Sequence, residues 1–176
     1  MVSLVKKNLK SIAHNVINLE IQALKSLKKS LNKNFEKAVN EIINCKSKII
    51  LCGVGKSGLI ASKIASTMSS VGSPAFSLSA NDCLHGDLGS ISKKDLLILI
   101  SNSGKSQELL PIIKFANRNK IKLIGIVSRK DSSLYRGADI RILLPEVKEA
   151  GLDIVPTSST SVQLAIGDAL AIAALN

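Results

Sequence analysis

The stretch LCGVGKSG, residues 51–58, decides how the rest of the chain is read. It carries Gly53, Gly55 and Gly58 in the G-x-G-x-x-G spacing that turns a strand sharply into a helix and lets backbone approach a phosphate. It also contains Gly55-Lys56-Ser57, the tail of an ATP-binding P-loop. A P-loop needs glycine five residues before Gly55, and Ile50 stands there, so the wrap around a β-phosphate is missing. A dinucleotide loop needs an acid closing the second strand to hold a ribose hydroxyl. That strand ends Phe76-Ser77-Leu78-Ser79, and Asp82 comes too late. A tight turn explains the glycines, but not Lys56 and Ser57 at a helix start, where free N–H groups attract anions.

Outward from this loop, short apolar runs alternate with helical stretches. Strands fit Ile49–Cys52, Ala75–Leu78, Leu96–Ile100, Lys122–Val127 and Ile140–Leu144. Helices fit Ser57–Ser70, Ser106–Asn119 and Ser158–Leu175, with a short one near Ser132–Gly137. Strands apolar along nearly their whole length suit a parallel sheet covered on both faces. The expected class is therefore α/β: a three-layer α/β/α sandwich around five parallel strands. Ligands in such a fold sit beyond the carboxyl ends of the strands, where chain direction switches. Residues 3–45 place Leu4, Ile12, Val16, Ile21, Leu24, Leu27, Leu31, Phe35, Val39 and Ile42 at helical spacing, with lysines between them. They predict one or two amphipathic helices packing on the domain, so that 1–45 precedes a main domain at 46–176.

Composition narrows the function. At 176 residues there is room for one domain with a sizeable core. One Tyr, three Phe and no Trp leave few platforms for stacking bases. The net charge of +11 comes largely from the first 50 residues, which hold ten Lys against three Glu. Solvated helix faces explain that excess without a nucleic-acid partner. Cys45, Cys52 and Cys83 are odd in number and lack C-x-x-C spacing, so they read as reduced thiols. Lys6, Lys7 and Lys10 precede any long apolar run, and the apolar stretch Val162–Leu175 is short and contains Asp168. A cytoplasmic protein with no membrane partner is expected.

Three further loops are rich in hydroxyls or glycine. SNSGKSQE, residues 101–108, surrounds Gly104 with Ser101, Asn102, Ser103 and Ser106 at a helix start, a nest suited to one phosphate. An N-cap alone uses one or two of those side chains. PTSST, residues 156–160, precedes the last helix, and LHGDLG, residues 84–89, carries His85. Together they suit a small phosphorylated molecule better than a dinucleotide.

GVGKSG, HGDLG, ISNSGKSQE and PTSST, in this order, resemble the sugar isomerase (SIS) domain family. More narrowly they are similar to arabinose-5-phosphate isomerases, which act at the entry to Kdo and lipopolysaccharide synthesis. The resemblance covers about residues 35–176 and implies a phosphosugar substrate, a homo-oligomer and no cofactor. It places the phosphate at Ser101, Asn102, Ser103 and Ser106, with Thr157, Ser158, Ser159 and Thr160 closing the site and Gly55 and Ser57 lining it. Gly72 and Ser73 match a substrate-contacting pair. Lys56, Glu108 and Glu149 match residues implicated in catalysis, and His85 one that contacts the sugar. Where the family often has a zinc-linked His, this chain has Ser79, so no metal is expected. The family pattern continues with a SHPGG-type motif bearing an active-site His, and usually with CBS domains; this sequence stops at Asn176.

Aldose–ketose isomerisation moves a proton between adjacent carbons through an enediol. It needs a base, a cation or donor for the oxyanion, and a grip on the phosphate. Glu149, in the loop before the last helix, is the favoured base if a dry pocket raises its pKa. Glu108 competes for that role, or handles ring opening or holds Lys56. Lys56 serves the enediolate or the phosphate, and His85 polarises a hydroxyl. The alternatives are a sugar-phosphate-binding module without turnover and an SIS isomerase for another phosphosugar.

Overall fold

The computed structural model describes residues 8–151 and 154–175; the expected helix start at residue 3, with Leu4, Lys6 and Lys7, lies outside them. Five strands, β1 (Ile49–Gly53), β2 (Ala75–Ser79), β3 (Leu96–Ile100), β4 (Lys122–Val127) and β5 (Ile140–Leu143), form one sheet in the order β2-β1-β3-β4-β5. All pairings are parallel. The three inner strands are buried on both faces, and their side chains alternate between two cores. Ile49 and Leu51 point to one, Ile50 and Cys52 to the other.

One layer holds α1 (Leu9–Ser30), α2 (Lys33–Asn44), α3 (Lys56–Ser70) and α7 (Ser158–Leu175). The other holds α4 (Ala80–Cys83), α5 (Leu109–Asn119) and α6 (Ser133–Gly137). The amphipathic segment is thus two helices, split where the Asn32 side chain accepts from Asn34 N–H and caps α2. α7 is apolar and 18 residues long, and its buried face, including Val162, Ile166, Leu170 and Ala171, packs into the first core. Against α3 it runs parallel: Gly167 faces Ile64, Lys63 pairs with Asp168, and Val71 and Leu175 share one groove at the far ends. Both helices therefore begin at the carboxyl edge of the sheet.

Two expectations change. The helix after β3 starts at Leu109, not Ser106, because residues 101–108 are folded into a loop of their own. The segment after β2 contains α4 and a 3-10 turn over Asp87–Ser90, each four residues long and too short to show a helical period.

At the opposite edge, Asp95 ties β3 to the start of β1. Its carboxylate accepts from Ser47 Oγ at 2.6 Å and Ser92 N–H at 2.6 Å, and Lys48 Nζ lies 3.0 Å away. Burial alone raises its pKa, but the bonds from Ser47, Ser92 and Lys48 outweigh burial and hold it at about 2. The ordinary value is 3.8, so this stabilisation is present above that pH and is lost as pH falls through about 2. Asp95→Asn should cost about 2 kcal/mol near neutrality. In paired urea titrations, the gap between wild type and variant should close below pH 3.8.

Candidate active site

β1 and β3 are neighbours, yet α3 leaves β1 on one face of the sheet and α5 leaves β3 on the other. Their carboxyl ends form the switch-point crevice of the doubly wound sheet. Its first wall is the loop 53–58. A Cβ on Gly53 would lie 2.7 Å from the carbonyl carbon and oxygen of Ser57, and one on Gly58 2.9 Å from Gly53 O. The motif spacing thus reports a backbone-on-backbone contact that brings α3 directly off the strand. Gly55 occupies the cap position with no side-chain hydrogen bond, and Lys56, exposed, opens the helix. Among the described residues Lys56 makes no ion pair.

The second wall is the loop after β3. Ser101 Oγ accepts from Gly104 N–H at 3.0 Å and lies 3.1 Å from Ser106 Oγ; Ser103 Oγ accepts from Lys105 N–H at 3.2 Å. The backbone amides of Asn102, Ser103, Ser106, Gln107 and Glu108 meet no acceptor among the described residues. Open donors of this kind at the start of a helix are able to receive an anion. The loop after β4 moulds the loop 101–108 from behind. Gly104, at φ +64°, leaves no space for a side chain: a Cβ would lie 2.7 Å from Ser132 Cβ and closer still to its Oγ. Gly104 O accepts from Leu134 N–H at 3.1 Å, and Ser128 reaches Asn102 through backbone and side chain. Glu108 is half-buried at the cap of α5 and makes no capping bond.

Glu149 differs from the expectation of a dry, raised carboxylate. Its Oε2 accepts from Thr157 N–H at 2.8 Å, Thr157 Oγ1 at 3.1 Å and Ser159 N–H at 3.2 Å. Burial pushes its pKa up, but these bonds at the N-terminus of α7 outweigh burial and hold it below its usual range. Of the PTSST hydroxyls, Thr157 Oγ1 joins this anchor directly. Thr160 Oγ1 donates to Thr157 O at 2.7 Å, and Ser158 is fully buried with no partner for its Oγ among the described residues.

The remaining candidates divide. His85 is exposed at the same edge of the sheet, between α4 and the 3-10 turn, its N–H donating to Asp82 O at 2.9 Å. A cleft of about 280 Å³ opens between the first loop and the end of β2, lined by Gly55, Ser77, Ser79 and Asn81. The Ser79 hydroxyl caps α4 by accepting from Asp82 N–H at 3.3 Å. Gly72 and Ser73 lie at the other edge, after α3, in a groove of about 230 Å³ with Ile42, Pro74 and Leu175. Within one chain a five-residue strand, roughly 16 Å, separates them from the nest. Cys52 and Cys83 are buried free thiols, and burial with its neighbour Cys83 pushes Cys52 up to about 12, far from a reactive thiolate.

The order of strands and the crossovers define a doubly wound α/β domain, and the sequence family agrees. The SIS domain model matches residues 41–173, and the chain belongs to that family. Within it, the chain is 41% identical over 161 residues to arabinose 5-phosphate isomerase KdsD of Escherichia coli, covering 91% of this chain and 49% of that protein. It is 44% identical over 167 residues to KdsD of Francisella tularensis, covering 93% and 51%. The chain thus spans about half the length of these relatives. Among solved structures, the Escherichia coli protein c3406 in complex with arabinose 5-phosphate superposes with a TM-score of 0.92 at 33% identity, covering 97% of this chain and 91% of that one.

Proposed function

We propose that the chain is a phosphosugar isomerase interconverting D-ribulose 5-phosphate and D-arabinose 5-phosphate through an enediol. The observation that carries this reading is the group of five amides that meet no acceptor among the described residues, with Ser101, Ser103 and Ser106, across the crevice from the loop bearing Lys56. A phosphate dianion seated there accepts from these open N–H groups, and the sugar then extends along the strand ends toward Lys56 and His85. Lys56 stabilises the oxyanion that develops as the proton leaves carbon. Between the two carboxylates, the hydrogen-bond load on Glu149 makes it the weaker base and favours Glu108 for the proton. Glu149 fixes the start of α7 beside the crevice. A phosphorylated sugar is an intracellular metabolite, so the cytoplasm is the matching compartment.

The second reading is a binding module without turnover, which follows if the proton transfer requires Glu149, already occupied by three donors. Amide NMR separates binding from no binding. Inorganic phosphate should move the resonances of Asn102, Ser103 and residues 106–108 selectively, and uniform or absent shifts would remove the nest from the site.

The apolar face of α1 is open, with Leu9 77%, Ile17 58% and Ile12 46% exposed. It suits a second copy of the chain, and sedimentation of an Ile12→Glu, Ile17→Glu variant should move toward monomer if α1 forms that contact.

A further inference from the structure

The backbone of the loop after β3 is held from one side. The register of β3 with β4 ends at Ile100 and Ile126, and Ser101 N–H still donates to Ile126 O at 3.1 Å. Continuing that ladder would carry Ser128 N–H to Ser101 O. It goes one residue further, to Asn102 O at 3.0 Å, and the buried Ser128 hydroxyl donates to the same oxygen at 2.6 Å. Leu134, also beyond β4, holds Gly104 O through its N–H at 3.1 Å.

A carbonyl held in this way fixes the amide that follows it. In a planar trans peptide the N–H of the next residue points opposite to the C=O, and the peptide between Asn102 and Ser103 is trans. With Asn102 O drawn toward Ser128, Ser103 N–H points away from β4. β1 lies on the other side of β3, so this is the side of the crevice and of the first loop. Ser103 N–H meets no acceptor among the described residues.

We infer that Ser128 is a positioning residue: by holding Asn102 O it aims the Ser103 amide into the crevice as a donor to phosphate. The inference rests on the phosphate reading of the loop. The same two bonds turn the Asn102 carbonyl, a partial negative charge, away from the dianion. Ser128 acts through the peptide plane and does not itself touch the ligand.

The test is a titration of the isotope-labelled full chain with inorganic phosphate, read amide by amide. In wild type the Ser103 N–H should shift downfield and acquire a scalar coupling to phosphorus, the mark of a direct hydrogen bond. Ser128→Ala should raise the dissociation constant for phosphate about fivefold. At saturating phosphate it should shrink the Ser103 response far more than those of Gln107 and Glu108, whose amides it does not aim. Ser128→Thr, which restores the hydroxyl, should recover both. A loss spread evenly over Ser103, Gln107 and Glu108 would show that Ser128 only stiffens the loop, and would overturn the inference. So would unchanged affinity and an unchanged Ser103 response in Ser128→Ala, or no recovery by Ser128→Thr at an unchanged melting temperature. A wild-type Ser103 amide that stays silent while Gln107 and Glu108 respond would overturn it as well. If no amide of the loop responds in wild type, the phosphate reading itself falls, and this inference with it.

Discussion

Glu108→Gln should lower kcat for ribulose 5-phosphate by about 10²- to 10⁴-fold, the range expected when a positioned base is removed. Phosphate affinity and melting temperature should stay close to wild type, because the Glu108 side chain makes no capping bond for α5. Glu149→Gln should behave differently. Its carboxylate joins Thr157 and Ser159, so neutralising it weakens charge-assisted bonds at the start of α7. A stability loss of about 1 kcal/mol is expected for this half-buried group. Because the folded pKa is lowered, that contribution is present above the ordinary value of 4.5 and disappears as the pH falls through the folded value. Steady-state kinetics and thermal melts of the two variants side by side read this out. A large kcat loss in Glu149→Gln with a normal Glu108→Gln would reverse the roles assigned to the two acids.

Gly104→Ala should be the most damaging single methyl group in the site. Left-handed φ at this position already disfavours any side chain, and the added carbon meets Ser132 and Val127. Strain and overpacking together should cost about 3–5 kcal/mol. Relief requires the loop 101–108 to pull away from the loop after β4, which breaks the Leu134 to Gly104 bond and disperses the open amides. Phosphate affinity should therefore fall with stability, whereas Asp95→Asn should lower stability alone. Calorimetry combined with phosphate titration of both variants distinguishes a nest that depends on Gly104 from one that does not.

Much of the frame was legible because it depends on local chemistry. Runs such as Leu96–Ile100 are apolar at every position because an inner parallel strand is buried on both faces. Gly53 and Gly58 are spaced by the contact their backbones make. Ser101–Ser106 stood out because hydroxyls cluster around a glycine ahead of a helix. The start of α5 was misplaced for a related reason. Ser106 is a good cap by residue type, but tertiary contacts from Ser128, Ser132 and Leu134 hold the loop open past it.

The environment of Glu149 was not legible. Its partners lie eight and ten residues onward, and only the folded loop shows that the PTSST hydroxyls and amides turn back on it. The base role was conditional on a dry pocket raising the pKa, and hydrogen bonding outweighs burial in the other direction. Ser128 was invisible because one serine after a strand carries no pattern. Its place became readable only from the pairing of β4 with β3.

The central claim is tested most directly by following ribulose 5-phosphate with the 176-residue chain in D₂O by NMR. The account predicts arabinose 5-phosphate signals, together with deuterium at the carbon that exchanges its proton through the enediol. Phosphate-dependent binding shifts with neither product nor deuterium uptake would contradict an isomerase and leave a sugar-phosphate-binding domain.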